Sequence, residues 1–174
     1  MNRTGIKLSV KYGVIGGILI DAPFLILQYM RLKPLVNLNT MIMEGMLIFI
    51  FLYVGTREYR DRFNGGELNF RDGMSVGFPM YIIMAVLYMG FLWVYIVWID
   101  PGFTENYRIE AEQYIRDSLA NTTDPKKAEL LKQEIGNISN TGIGDLLLDG
   151  LLKKIFLGLM LTPVSTVILR KMKG

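Results

Sequence analysis

The chain has 174 residues, is 51% hydrophobic and carries a net charge of +3, and with a mean hydropathy of +0.32 it has the length of one domain and the balance of a membrane protein. Cysteine and histidine are both absent, which excludes disulfides, thiolate or imidazole metal sites, cysteine nucleophiles and a Ser-His-Asp triad. No metal and no cofactor is expected, and the basic residues, gathered beside apolar runs, read as topology signals and not as a nucleic-acid surface.

Four stretches are apolar enough to cross a bilayer core of about 30 Å, which takes roughly 20 residues at 1.5 Å each. The first spans residues 12–29 behind a basic flank of Arg3, Lys7 and Lys11. It begins like a signal peptide, but lacks a small-x-small cleavage pattern and is expected to remain. Gly13-x-x-x-Gly17 makes a narrow face on it for another helix of the same chain. The second span covers residues 38–54.

Both of these spans hold an acid. Asp21 and Glu44 come to similar depth, about 10 Å below one surface by helix rise, so the two carboxylates are expected to be able to meet. A charged carboxylate there costs at least about 2.5 kcal/mol, so each should be protonated, paired or facing water. One reading is a proton or cation relay, since two close carboxylates share a proton. The other is structural: each acid is neutral and hydrogen-bonded, or Asp21 satisfies a helix kinked by Pro23. Arg31 and Lys33, in the loop between the spans, are candidate partners for Glu44.

Residues 55–75 form a polar hinge. Arg57, Glu58, Arg60, Asp61 and Arg62 alternate in sign at helical spacing, with Glu58 and Arg62 as an i,i+4 pair, and Asn64-Gly65-Gly66 is a strong turn signal. Asn69 or Asp72 is placed to cap the next helix, and Gly73-x-x-x-Gly77 puts two glycines on one of its faces. The hinge reads as a solvated hairpin, a docking surface for a cytoplasmic partner, or an anionic lipid or phosphate site. The third span, residues 76–99, is continuous and uncharged, with Trp93 and Trp98 as interfacial anchors.

Residues 100–145 make the one long polar segment, with five basic and nine acidic residues. Tyr107, Ala111, Tyr114, Ile115 and Leu119 share one helical face, and Ala128, Leu131, Ile135 and Ile138 another, the second helix opening at Thr123 or Asp124 ahead of Pro125. Two amphipathic helices result, their stripes packed on each other, laid on the membrane, or turned to a partner. The fourth span, residues 151–169, is interrupted by Lys153 and Lys154, whose long stems are expected to snorkel to the headgroups. Its Thr162-Pro163 pair predicts a kink relieved by neighbouring hydroxyls. Ser165 lies about 16 Å along the helix from Lys154, too far for a Ser-Lys catalytic pair.

Counting Lys and Arg in short flanks puts both termini and the hinge in the cytoplasm and residues 100–145 outside. The run Tyr59-Arg60-Asp61, then Gly65-Gly66, Phe70, Gly73, Gly77 and Pro101-x-Phe103, resembles the bacterial four-span inner-membrane family called domain of unknown function 4199. The layout is similar over nearly the whole chain. The resemblance implies an inner-membrane four-helix protein and brings no activity with it; Glu44 and the Lys153-Lys154 pair are not part of that pattern.

The expectation is therefore an all-α integral membrane protein forming one membrane domain. The leading function is a non-enzymatic component binding a membrane or cytoplasmic partner protein, through a hinge surface of Tyr59, Arg60, Asp61, Gly65, Gly66 and Phe70 or through the outer stripes. The alternative is a small proton- or cation-moving protein using Asp21 and Glu44, as a homo-oligomer because four helices make a narrow pore. With no assembled catalytic set, an enzyme is not expected.

Overall fold

The computed structural model describes residues 3–32, 34, 35 and 38–170, and these are all-helical apart from turns. Seven helices follow one another: α1 (Arg3–Leu19), α2 (Asp21–Tyr29), α3 (Leu38–Glu58), α4 (Phe70–Val94), α5 (Phe103–Ala120), α6 (Pro125–Ser139) and α7 (Ile143–Leu169). Helices α3 and α4 each run on into a π-helical turn, Tyr59–Phe63 and Tyr95–Ile99. Four rods are long and apolar enough to cross a membrane: Thr4–Tyr29, Leu38–Phe63, Phe70–Ile99 and Ile143–Leu169.

Each rod is longer than its apolar run. The helix carries on through charged residues at the membrane edge because backbone groups there still gain from pairing internally. The 55–75 hinge thus contracts to a tight turn, with Gly65 and Gly66 at φ of 63° and 80°. Asn64 closes it, its side-chain amide donating to the Glu67 carbonyl at 2.7 Å. The first rod breaks at Ile20. Pro23 has no N–H for the carbonyl of Leu19, and α1 ends there.

Helix α4 is the hub. It packs on α1, α3 and α7, and its partners meet it through small residues. A β-carbon on Gly13 would stand 3.0 Å from the Met80 carbonyl, and one on Gly17 3.3 Å from the Met84 α-carbon, so the expected glycine face of α1 is used within the chain. On the opposite side Gly73 and Gly77 of α4 receive Thr166 and Thr162 of α7, while Gly158 of α7 receives the ring of Tyr81. With lipid as solvent, close packing and interhelical hydrogen bonds replace the hydrophobic effect. Ser9 of α1 supplies one such bond, donating to the Val76 carbonyl at 2.6 Å. Thr162 donates to the Gly158 carbonyl at 2.6 Å, one turn back along α7.

Helices α5 and α6 form a polar layer over one end of the bundle. Asp124 caps α6 by accepting from the Lys126 N–H, with Pro125 at the first position. The two helices pack on each other through the stripes expected of them, lined by Ala111, Ile115, Leu131 and Ile138. Phe103 anchors α5 to the bundle. Its ring lies 5.7 Å from Phe24 and 5.6 Å from Tyr95, centroid to centroid, in an aromatic cluster with Phe91.

Candidate functional site

Every helix of a membrane bundle must dispose of its polar side chains, and this one gathers three ionisable groups at one depth. Glu44 sits on the buried face of α3, Lys154 on that of α7, and Asp21 opens α2 at the break in the first rod. Counted from the α5–α6 end of each helix, all three lie about 9–16 Å in by helix rise. Glu44 and Lys154 form an ion pair of 2.6 Å, with side chains only 3% and 4% exposed.

This pair corrects two expectations. Lys154 does not snorkel to the headgroups, and Glu44 pairs with it and not with Arg31, which is exposed; Lys33 lies outside the described residues. Lys153, one residue earlier, does turn outward, 47% exposed and paired to Asp149 at 2.6 Å. The 100° step between neighbours on a helix separates the two lysines. A signal for the pair was present in the sequence, since a lysine inside an apolar run carries a cost like that of Glu44 and the opposite sign.

Tyr88 of α4 completes the centre. The Lys154 ammonium lies 3.9 Å from the centroid of its ring, within cation–π range. Gly150, one turn before Lys154, lets that ring approach; a β-carbon there would be 3.1 Å from it. Asp21 interacts electrostatically with both Glu44 and Lys154. Oδ1 of Asp21, Oε1 of Glu44 and Oγ1 of Thr40 are buried without a hydrogen-bond partner among the described residues. Thr40 and Glu44 are one turn apart on the same face of α3.

A cavity of about 250 Å³ leads to this centre from the α5–α6 end, lined by Thr40, Glu44, Tyr88, Lys154 and, at its mouth, Asp149 and Lys153. A second, of about 260 Å³, lies between α5 and α6 and shares Leu35, Tyr114 and Lys153 with the first. Tyr107 lines it too, and burial pushes its phenol above the usual range, with Asp149 and Glu134 acting in the same direction.

The turn at the other end is a network of ion pairs. Glu58 bonds Tyr12, Lys11 at 3.2 Å and, as its i,i+4 pairing predicts, Arg62 at 3.2 Å. Arg60 pairs with Asp61 at 2.6 Å and donates to the Leu169 carbonyl at 3.2 Å, tying the end of α7 to the turn. Tyr59 is buried in the core, whereas Phe70 and Asp61 stand exposed and Gly65 and Gly66 form the turn. The residues named for docking therefore divide into a structural set, Tyr59 and Arg60, and a surface set.

Three apolar rods packed around a fourth, with a buried ion pair between α3 and α7, define a polytopic all-helical membrane protein. The chain belongs to the family described as Protein of unknown function (DUF4199), whose family model matches residues 11–171. No curated protein and no solved structure matches it.

Proposed function

We propose that the protein is a multi-pass component of the bacterial cytoplasmic membrane that works by binding a partner protein and catalyses no reaction. The observation that carries this reading is that its inward-turned cations are held by the chain itself: Lys154 by Glu44 and Tyr88, and Arg60 by Asp61 and the end of α7. Helix α6, by contrast, has no buried residue and packs chiefly on α5, leaving Leu130 of α6 and Ile109 of α5 exposed. Mild cross-linking of the tagged full-length protein in its native membrane should retrieve a near-equimolar partner, and replacing Leu130 and Ile109 by Ser should abolish that capture. Recovery of this chain alone would overturn the partner reading.

The orientation follows from charge. Helix α1 at Lys11 and the end of α7 both meet the turn, through Lys11 on Glu58 and Arg60 on Leu169, and residues 1–11, 55–75 and 170–174 carry ten basic residues against four acidic. The 100–145 segment, with five against nine, is the outer one. Since the chain has no cysteine, a single introduced thiol reports its side. An impermeant maleimide should label Lys127→Cys in intact cells and label Arg62→Cys only after lysis; the reverse pattern would invert the topology.

A second reading, a proton- or cation-moving protein, is favoured by one observation: Asp21 and Glu44 share a neighbourhood with Lys154. It predicts that Asp21→Asn abolishes flux in reconstituted vesicles while the protein remains folded. Unchanged flux in that variant removes it.

A further inference from the structure

The cavity over the ion pair has a charge pattern that selects a ligand. Its four ionised side chains cancel, Glu44 against Lys154 and Asp149 against Lys153, each pair at 2.6 Å. In a weakly screened site a lone cation or anion would upset that balance at high cost, so a guest with no net charge is preferred. The floor still holds unmet hydrogen-bonding capacity. Oε1 of Glu44 and Oγ1 of Thr40 are buried without a hydrogen bond of normal geometry among the described residues, although the Tyr88 phenol neighbours the Glu44 carboxylate, and since a carboxylate oxygen can only accept, a guest with a donor is favoured. At the mouth the half-exposed Lys153 ammonium has donors to spare beyond Asp149. A volume of about 250 Å³ lies below the usual range for drug-sized ligands, which starts near 300 Å³.

We propose that this cavity binds a primary-ammonium zwitterion, its ammonium donating to Glu44 and Thr40 at the floor and its anionic group set against Lys153 at the mouth. A phosphoethanolamine diester meets these terms in charge and donors. It is available as a lipid headgroup, whose chains would leave past the apolar rim of Leu38 and Met41, or as a soluble phosphodiester. The inference stands apart from the partner reading above, since it concerns a different surface and is measured on the purified protein alone.

The test uses full-length protein in dodecyl maltoside, with native mass spectrometry against phosphatidylethanolamine, phosphatidylcholine and phosphatidylglycerol, and calorimetric titration with soluble glycerophosphoethanolamine. Phosphatidylethanolamine should bind one to one and at least about tenfold more tightly than phosphatidylcholine, which keeps the charge but has no N–H to donate. Phosphatidylglycerol, which carries a net charge, should bind more weakly still. Thr40→Val, which keeps side-chain shape, and Lys153→Gln should each weaken phosphatidylethanolamine about tenfold while leaving the ligand-free melting temperature unchanged. Binding of the soluble compound with the same sensitivity to both variants would identify a free solute as sufficient; binding of the lipid alone would identify the headgroup. Equal affinity for phosphatidylethanolamine and phosphatidylcholine, indifference to both variants, or no binding of any probe would overturn the proposal.

Discussion

Lys154→Met should destabilise the protein by about 3–5 kcal/mol, and Glu44→Leu by a similar amount, while the double variant should return to within about 1 kcal/mol of the parent. The reasoning rests on where the pair sits. Both side chains are almost wholly buried, 2.6 Å apart, so each charge's desolvation is offset by the other and by the Tyr88 ring 3.9 Å from the ammonium. Removing one member leaves the other without its counter-charge in an apolar bundle, and the full penalty appears. Removing both replaces two desolvated charges by apolar groups of comparable size, and the penalty goes with them. A double-mutant cycle on the full-length protein unfolded from bicelles measures the coupling directly. Additive losses, with the double variant worst of all, would show that the two residues act independently and that the pair is not what holds α3 to α7.

The second large effect is steric. A β-carbon on Gly158 would fall 2.3 Å from the Tyr81 ring and 2.6 Å from that residue's own β-carbon. The latter is fixed to the α4 backbone, so no side-chain rotation relieves the overlap and the two helices must part. Gly158→Ala should cost about 1–3 kcal/mol, the range for overpacking a tight core, and Gly158→Leu should prevent accumulation in the membrane. Gly90 is the control. Nothing stands within 4 Å of its β-position, so Gly90→Ala should be neutral in the same unfolding assay. Equal tolerance at the two positions would mean that α4 and α7 do not pack through Gly158.

The parts of this molecule that depend on local chemistry were legible in the sequence. Apolar length is enough to find four spans, because the bilayer leaves few alternatives. The turn at Gly65 and Gly66, the Asp124 cap and the paired stripes of α5 and α6 are likewise set by residues within a turn or two of each other. Gly13 and Gly17 announced a close contact, though not that Met80, Ile83 and Leu87 would fill it. What could not be read was any contact made at long separation. Glu44 and Lys154 are 110 residues apart, so the acid stood out while its partner passed for a membrane-edge lysine. Arg60 was read as surface charge for the same reason, since the carbonyl it serves belongs to Leu169, 109 residues on. Helix ends were the other gap: hydropathy marks where lipid stops, whereas the hydrogen-bonded rod stops at Phe63 or begins at Ile143, several residues beyond.

The order in which the helices are made adds a constraint of another kind. Glu44 enters the bilayer with the second rod, but its counter-ion arrives only with the last one, after α5 and α6 have been translated. For that interval the growing chain is an incomplete bundle with an uncompensated acid on the face that α7 will cover. A chain ending before Ile143 would lack Lys154 and leave Glu44 without its counter-ion, so the bundle's charge balance is complete only when the last helix is in place.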